Sequence, residues 1–433
     1  MRLGRLVRLG RLVRLGRLGR LGRLVRLGRL GRFGRLGRLV RLGRLSANGK
    51  LSDLWNIWWF NRQVRALIKS RLVHYAGKLI EGGVLGTALL VPLIFSTKTP
   101  SNFALPKLTV LRLAASAIGL GMMVKRPNGF KGILPYVFSW ILSAWKSPYP
   151  KTAFQGNYLR MSGVIEAVNL FILHLGSKMV PARKIISALM LSGAVVSLFA
   201  FIQKKGLDRH KWGRDVSVRP GSTLGNPIFM GGFLAMLLPP TLLRFLEARY
   251  WEQKAGYLLL AGAYAWGIMA SKSRSAYLGA VAGIAAFMAN RMKRYRWMLI
   301  GLALPLLRVN WRSNRLNIWK DAILAWRDRP LFGWGNDCAR PVINRHKSVA
   351  TVKAEPGTSY DRVHNFYLDE LVMRGAYGLL TFLRLAWLGF AHQWKAGQSD
   401  LAGMSAAFLF QNITAFPTAT TWMAWWMTFG MTK

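Results

Sequence analysis

The sequence predicts an all-α fold, a polytopic helical membrane protein with about 10–12 transmembrane helices. Three observations predict it. The 433 residues are 52% hydrophobic with 18 tryptophans, yet they carry 63 Lys and Arg against 15 Asp and Glu, a formal charge of +48. A charge that high beside a mean hydropathy of +0.21 requires a segregated chain. Soluble nucleic-acid binders of this basicity are usually lysine-rich and poor in apolar residues, so no nucleic acid is expected as partner. Finally, segments such as 185–202 and 224–243 have no polar face with which a soluble helix would meet water.

The elements follow in order. Residues 1–45 repeat Arg-Leu-Gly/Val, with an arginine at every third position from Arg2 to Arg44, 15 of the 48 charges. A period of three drifts by about 60° per repeat around a 3.6-residue helix, so the arginines spiral and no amphipathic face forms. Two readings stand: a low-complexity tract, disordered or an artefact of an expanded repeat read in frame, and a polybasic leader at an anionic membrane surface. The tract lacks the continuous apolar core of a cleavable signal peptide. Residues 46–78 read as a basic amphipathic segment, cytoplasmic or interfacial. A span needs about 20 predominantly apolar residues. By that ruler spans fall near 79–95, 103–123, 130–145, 162–176, 185–202, 224–246, 256–270, 276–289, 297–309, 366–391, 401–416 and 418–431. A transmembrane bundle thus covers 79–309, a large outer loop 310–365, and C-terminal transmembrane helices 366–433.

With the basic N-terminus inside, the inside loops carry compact clusters, among them Lys178, Arg183 and Lys184, then Arg291, Lys293, Arg294 and Arg296, as the positive-inside rule asks. The outside loops are basic as well: Lys204, Lys205, Arg209, Lys211, Arg214 and Arg219 share one of them. Cations kept outside against that bias point to an anionic ligand.

Three polar constellations fall on that outside face. In Arg219-Pro-Gly-Ser-Thr-Leu-Gly-Asn226-Pro, glycines and prolines let the backbone break near a ligand, and Arg219 offers a five-donor fork suited to phosphate. Ser271-Lys-Ser-Arg274-Ser-Ala-Tyr-Leu278 is a short polar hinge between two spans, where an unpaired cation is expensive. In the third, His364-Asn365 precedes Gly375-Ala-Tyr-Gly378. Eleven residues of helix between His364 and Gly375 are about 16 Å, so the histidine is expected to cap a helix whose deeper turns pack closely through glycine. Each has a plainer alternative: a satisfied surface arginine, a snorkelling cation, a structural histidine. Cys338, the one cysteine, excludes an intrachain disulfide and any cysteine cage.

The spacing His364-Asn365-x9-Gly375-x-x-Gly378 resembles the signature of the O-antigen ligase and O-antigen polymerase superfamily, and Arg274 to Leu278 looks like its Arg-x3-Leu element. Gly221-Ser-Thr-Leu-Gly-Asn-Pro-Ile-Phe-Met-Gly-Gly is similar to a stretch of ligase-like members, with Ser222 and Ile228 as departures. Arg315-Leu-Asn-Ile-Trp-Lys-Asp-Ala and Arg329-Pro-Leu-Phe-Gly-Trp-Gly-Asn-Asp resemble the start of the family's large periplasmic loop. The resemblance runs from about 79 to 391 and leaves 1–45 uncovered.

The resemblance implies a GT-C-like membrane glycosyltransferase, metal-independent and inverting. It would move a glycan from a polyprenyl-diphosphate carrier to an acceptor hydroxyl on a glycan, lipid or protein. Its place would be the bacterial cytoplasmic (inner) membrane, multi-pass in the lipid bilayer, with the active site facing the periplasm. The residues suit this chemistry, since fixed arginines stabilise the charge that develops on a departing diphosphate. Arg219 and Arg274 are the catalytic candidates, with His364 to accept the acceptor's proton or donate to the diphosphate. Arg160, Asn365, Asn226, Asp361 and Arg315 are candidate substrate-binding residues, and Gly375, Gly378 and Leu278 complete the motifs. Asp361 either orients His364 or serves as a helix N-terminal charge. The outside carboxylates Asp208, Asp215, Asp321, Asp328, Asp337, Glu355 and Asp361 are scattered with no DxD pair, so no metal and no other cofactor is expected.

Leu316, Trp319, Ile323 and Trp326 recur at spacings of three and four, which predicts an amphipathic helix that lies on the membrane or covers the cavity. Within the class the alternative is a polymerase, with a protein O-glycosylating ligase as a third variant. From a different class, spans with arginines also suit an anion or lipid transporter, which predicts mid-membrane charges and repeated spans.

Overall fold

The computed structural model describes residues 51–99, 101–127, 132–210, 212–213, 215–291 and 315–432. The arginine repeat, the span expected at 297–309, Lys211 and Arg214 lie outside the described residues. The chain divides into two compact units, 1–75 and 76–433. Among its described residues the first unit holds the start of α1 (Leu51–Leu93), which continues unbroken through 78 and 79 into the second. Residues 51–78 of the expected interfacial segment and the first expected span therefore share one helix.

The second unit continues with α2 (Ala104–Val124), α3 (Leu134–Lys146), α4 (Pro150–Gln155), α5 (Val164–Ser177), α6 (Ala182–Lys204), α7 (Pro227–Glu247), α8 (Trp251–Ala270) and α9 (Arg274–Arg291). After the undescribed stretch come α10 (Arg315–Arg327), α11 (Ala339–Arg345), α12 (Val349–Ala354), α13 (Phe366–Lys395), α14 (Ser399–Gln411) and α15 (Ala419–Met431). No strand occurs among the described residues, and each expected span that falls on them has a helix at its place. Among the described residues, five stretches are long and apolar enough to cross a membrane by themselves: Arg62–Leu93, α2, α6, α7 and α13. The protein is an all-α polytopic membrane protein.

Small residues let these helices approach. A Cβ on Gly279 would lie 2.9 Å from the Ala407 carbonyl oxygen, and one on Gly403 would lie 2.9 Å from that of Gly283, so α9 and α14 touch backbone to backbone. Beside them Trp422 and Trp425 of α15 stack at 5.4 Å, and Phe408 of α14 stacks on Trp425 at 4.7 Å.

This packing fixes which chain ends meet. α7 and α8 are antiparallel neighbours joined by a short turn, so the start of α7, the end of α8 and the start of α9 share one end of the bundle. Gly279 lies against Ala407 and Gln411, which brings the end of α14 to that same end. Asn412 then accepts the Phe366 N–H through its carbonyl at 2.9 Å, and the start of α13 joins them.

The 315–345 region forms a small second core. Ile318, Ala322 and Ala325 of α10 bury against Val342 and Ile343 of α11 and against Val363 and Val372. Of the expected stripe, Trp319 packs against this core. Leu316 and Ile323 are exposed, while the buried face is Ile318, Asp321, Ala322 and Ala325.

Candidate active site

The site is built around a break in α13. At Gly375 the backbone takes φ 66° and ψ −169°, which interrupts the helix. The freed groups are taken up by the segment that follows α10: Ala376 N–H donates to the Pro330 carbonyl at 2.8 Å and Tyr377 N–H to Leu331 at 3.2 Å. In return Trp334 N–H donates to Val372 at 2.9 Å and Gly335 N–H to Met373 at 2.9 Å. A Cβ on Gly375 would lie 2.3 Å from the Leu331 carbonyl, so glycine is required for its φ and for the close approach. The helix expected to run straight and pack through glycine is instead broken there, and its N-cap is Asn365. The Asn365 side chain accepts the N–H groups of Tyr367 and Leu368 at 3.0 and 3.2 Å, and His364 lies just outside the helix.

Gly378 makes room for Arg374, whose Cβ lies 2.2 Å from where a Cβ of Gly378 would be. Arg374 is buried; its Nε donates to Glu370 Oε2 at 2.7 Å, its Nη2 to Glu370 Oε1, and its Nη1 to Asn336 Oδ1 at 2.9 Å. Its guanidinium lies 4.0 Å from the Trp140 ring centre. A charge so deep persists because it is paired and fully engaged.

One residue further on, Asp337 joins three chain segments. It is 1% exposed. Its Oδ2 accepts the N–H groups of Asn157 and Ser162 at 2.6 and 3.1 Å, and its Oδ1 accepts Arg362 Nη2 at 2.7 Å. Burial pushes this carboxyl up, and Arg362 pulls it back. The loop 157–162 is thereby pinned to the stretch 361–364. Arg160 projects from that loop, and its Nε and Nη2 donate to Asp361 Oδ2 at 2.9 and 2.6 Å. Asp361 thus pairs with Arg160 instead of orienting the imidazole, because the pinned loop delivers a guanidinium to it first.

Phe416 stands at the centre. Its ring lies 4.7 Å from the Arg160 guanidinium carbon, 5.4 Å from the His364 ring and 5.5 Å from the Phe229 ring. Phe229 belongs to the first turn of α7, which Asn226 caps by accepting the Ile228 N–H at 2.9 Å. The Gly221–Gly232 motif therefore enters the site through Phe229, while the Asn226 side-chain oxygen is engaged in capping.

The cations follow from there. Arg315 Nη1 donates to the Thr414 carbonyl at 2.8 Å. Burial and the charge of Arg274 hold its guanidinium below its ordinary value. Burial, with the charge of Arg315, pulls His364 down to about 4 against the opposing charge of Asp361. Arg219 Nε donates to the Ser271 carbonyl at 3.0 Å, which attaches it to the hinge bearing Arg274. Leu278 lies one turn into α9, partly buried. Arg160, Arg315, Asp361 and His364 thus form one neighbourhood, which the charge of Arg274 reaches through Arg315, and Arg219 is attached to the Arg274 hinge.

Backbone strain marks the same segments. Among the described residues, the non-glycine positions with positive φ are Met161, Ser222, Lys272, Asp337 and His364. Each lies on a segment just described, and such strain persists only where the surroundings hold it. Asp337, Arg362, Phe229 and Phe416 are additions to the residues expected from sequence. Asp337 ends the Gly-Trp-Gly-Asn-Asp turn and Arg362 stands two residues from His364, which are usable signals; an apolar Phe416 in an apolar stretch offers none.

The other carboxylates expected outside have partners of their own. Asp321 Oδ2 accepts the Thr351 hydroxyl at 2.5 Å, Asp328 faces His346 at 2.8 Å, and Glu355 accepts the Tyr360 hydroxyl at 2.7 Å. Among the described residues no three His, Cys, Asp or Glu side chains gather as metal ligands. Cys338 is buried, and burial pushes its thiol up to about 12.

Residues 307–383 match the family model for O-antigen ligase (Wzy_C). The described part of that match contains α10, the Asp337 turn, His364 and the break at Gly375. A comparison with curated proteins gives no match.

Proposed function

We propose that the chain, whose residues 307–383 match the O-antigen ligase family model, is an O-antigen ligase-like enzyme that transfers a glycan from a polyprenyl-diphosphate carrier to an acceptor hydroxyl at the outer side of the cytoplasmic membrane. The observation that carries the proposal is that the charges of Arg160 and Arg315 bear on His364, while that of Arg274 bears on Arg315 and Arg219 is attached to the Arg274 hinge through Ser271. Asp361 pairs with Arg160, whereas Arg274 and Arg315 raise one another's energy, which an anionic ligand between them would relieve.

In the proposed step the acceptor oxygen attacks the anomeric carbon from the face opposite the carrier. The bond from that carbon to the diphosphate oxygen breaks, its electron pair leaves with the diphosphate, and the configuration inverts. The fixed guanidiniums stabilise the charge gathering on the leaving group. His364, neutral when the site is empty, takes the acceptor's proton on its unprotonated ring nitrogen. A bound diphosphate offsets the field of Arg315 and Arg160 and makes the imidazole more basic when the proton must move.

The test is transfer by the purified protein from a defined polyprenyl-diphosphate glycan to candidate acceptors, with a chelator present. Wild type should transfer, and Arg274→Ala and His364→Ala should each lose at least about a hundredfold in rate. Equal rates in all three proteins would refute the assignment of the site, and loss of transfer on adding chelator would refute the metal-free mechanism. Cysteines placed at 219, 274 and 364 should all be labelled from the non-cytoplasmic side.

A further inference from the structure

Among the described residues, three helices end on the same hydrogen-bond pattern with a left-handed residue after the cap. After α6, Lys205 N–H donates to Phe201 and Gly206 N–H to Gln203; after α13, Ala396 N–H donates to His392 and Gly397 N–H to Trp394. After α8, Ser271 N–H donates to Gly267 and Lys272 N–H to Met269, both at 3.0 Å. The left-handed residue has φ 71° at Gly206, 68° at Gly397 and 46° at Lys272. Glycine is the residue that this place favours, since a Cβ there crowds the backbone. At two of the three ends the chain has it, and at the third, beside the active site, it has an exposed lysine.

The surroundings of Lys272 explain the exception. The residue before it holds Arg219 through its carbonyl, and Arg274, whose charge reaches Arg315, stands two residues after it. Among the described residues neither Lys272 nor Arg219 has a carboxylate partner in an ion pair. A conformation unfavourable for lysine is therefore kept at a position flanked in the chain by the residue that holds Arg219 and by Arg274. We infer that Lys272 is a further phosphate-binding residue of this site, contacting the diphosphate of the lipid-linked donor beside Arg219 and Arg274. The inference rests on the proposed function, and it sets conformational stability against ligand affinity at one position.

The experiment uses the full chain in detergent micelles with farnesyl diphosphate as probe, and compares wild type with Lys272→Gly, Lys272→Arg and Lys272→Ala. Without probe, Lys272→Gly should raise the thermal midpoint by about 1–3 °C, because glycine relieves the left-handed strain. The same variant should bind the probe about tenfold more weakly. Lys272→Arg should retain binding within about threefold, and Lys272→Ala should lose it with no gain in midpoint. Wild-type affinity in Lys272→Gly would overturn the inference while leaving the proposed function standing. Failure of the wild type to bind the probe would overturn that function and the inference with it. Displacement of the probe by excess phosphatidylglycerol would assign Lys272 to bilayer head groups and also overturn it.

Discussion

Arg160 and Asp361 are 201 positions apart in sequence, and two guanidinium nitrogens of the first converge on one carboxylate oxygen of the second at 2.9 and 2.6 Å. The contact holds the arginine near His364 and leaves one Asp361 oxygen outside it. Burial would lift the Asp361 carboxyl, and the charge of Arg160 holds it below the usual carboxylate range. If the acid's role is to aim the arginine, then Asp361→Asn and Arg160→Ala remove the same function twice. Measured as kcat/KM for the donor, each single variant should lose about tenfold or more and the double variant little beyond the worse single. Losses that multiply would show that the two residues act separately.

His364 gives the pH dependence. Its folded value of about 4 lies below its ordinary 6.5. An unfolded chain therefore binds a proton at pH 5 that the folded chain does not, and this histidine makes stability fall as pH drops from about 6.5 towards about 4. At neutral pH no such loss occurs. For catalysis, kcat/KM reports the free enzyme, so its acidic limb should lie near 4; kcat reports the complex, where the donor's charge raises the imidazole, so its limb should lie higher. The two profiles, together with the thermal midpoint of His364→Gln against wild type from pH 4 to 7, check this. Coincident acidic limbs would contradict the coupling.

The helical class and the span positions were legible because apolar length and basic breaks are one-dimensional signals. Arg219, Arg274 and His364 were legible as cations and an imidazole in polar breaks between spans. The break at Gly375 was not: a glycine at helical spacing looks the same whether it packs a helix or breaks it, and only Leu331, 44 positions earlier, decides. The inward face of α10 was not legible because apolar periodicity weights Leu316 and Ile323 above Ala322 and Ala325, whereas the buried face is Ile318, Asp321, Ala322 and Ala325. The partner of Asp361 was hidden because it lies in a loop that Asp337, from a third segment, pins in place.

The seam between 330–335 and α13 rests on two glycines. Gly333 has φ 68°, and a Cβ there would lie 2.5 Å from the Met373 carbonyl oxygen; Gly375 has φ 66° with the Leu331 carbonyl at 2.3 Å. Neither obstacle is a flexible side chain, so alanine can be accommodated only by parting the seam. Gly333→Ala and Gly375→Ala should each destabilise by on the order of 3 kcal/mol. Because both disrupt the same backbone pairs, the double variant should cost less than the sum. Thermal unfolding of the four proteins in one detergent gives the comparison, and full additivity would show that the two sites are independent.

Arg374 and Glu370 form a buried pair whose value lies in its completeness. Arg374 also serves Asn336, and Glu370 Oε1 also accepts the Tyr136 hydroxyl at 3.1 Å, so loss of the arginine leaves a carboxylate with one neutral donor and no counter-charge. Arg374→Met should therefore destabilise by about 3–5 kcal/mol, the usual result of stranding a buried charge. Adding Glu370→Gln to that variant removes the stranded charge while keeping an acceptor for Tyr136. The double variant should then be more stable than Arg374→Met alone, although it departs further from the natural sequence. If the second substitution instead lowers the thermal midpoint again, Glu370 is held by its hydrogen bonds and not by the charge of Arg374.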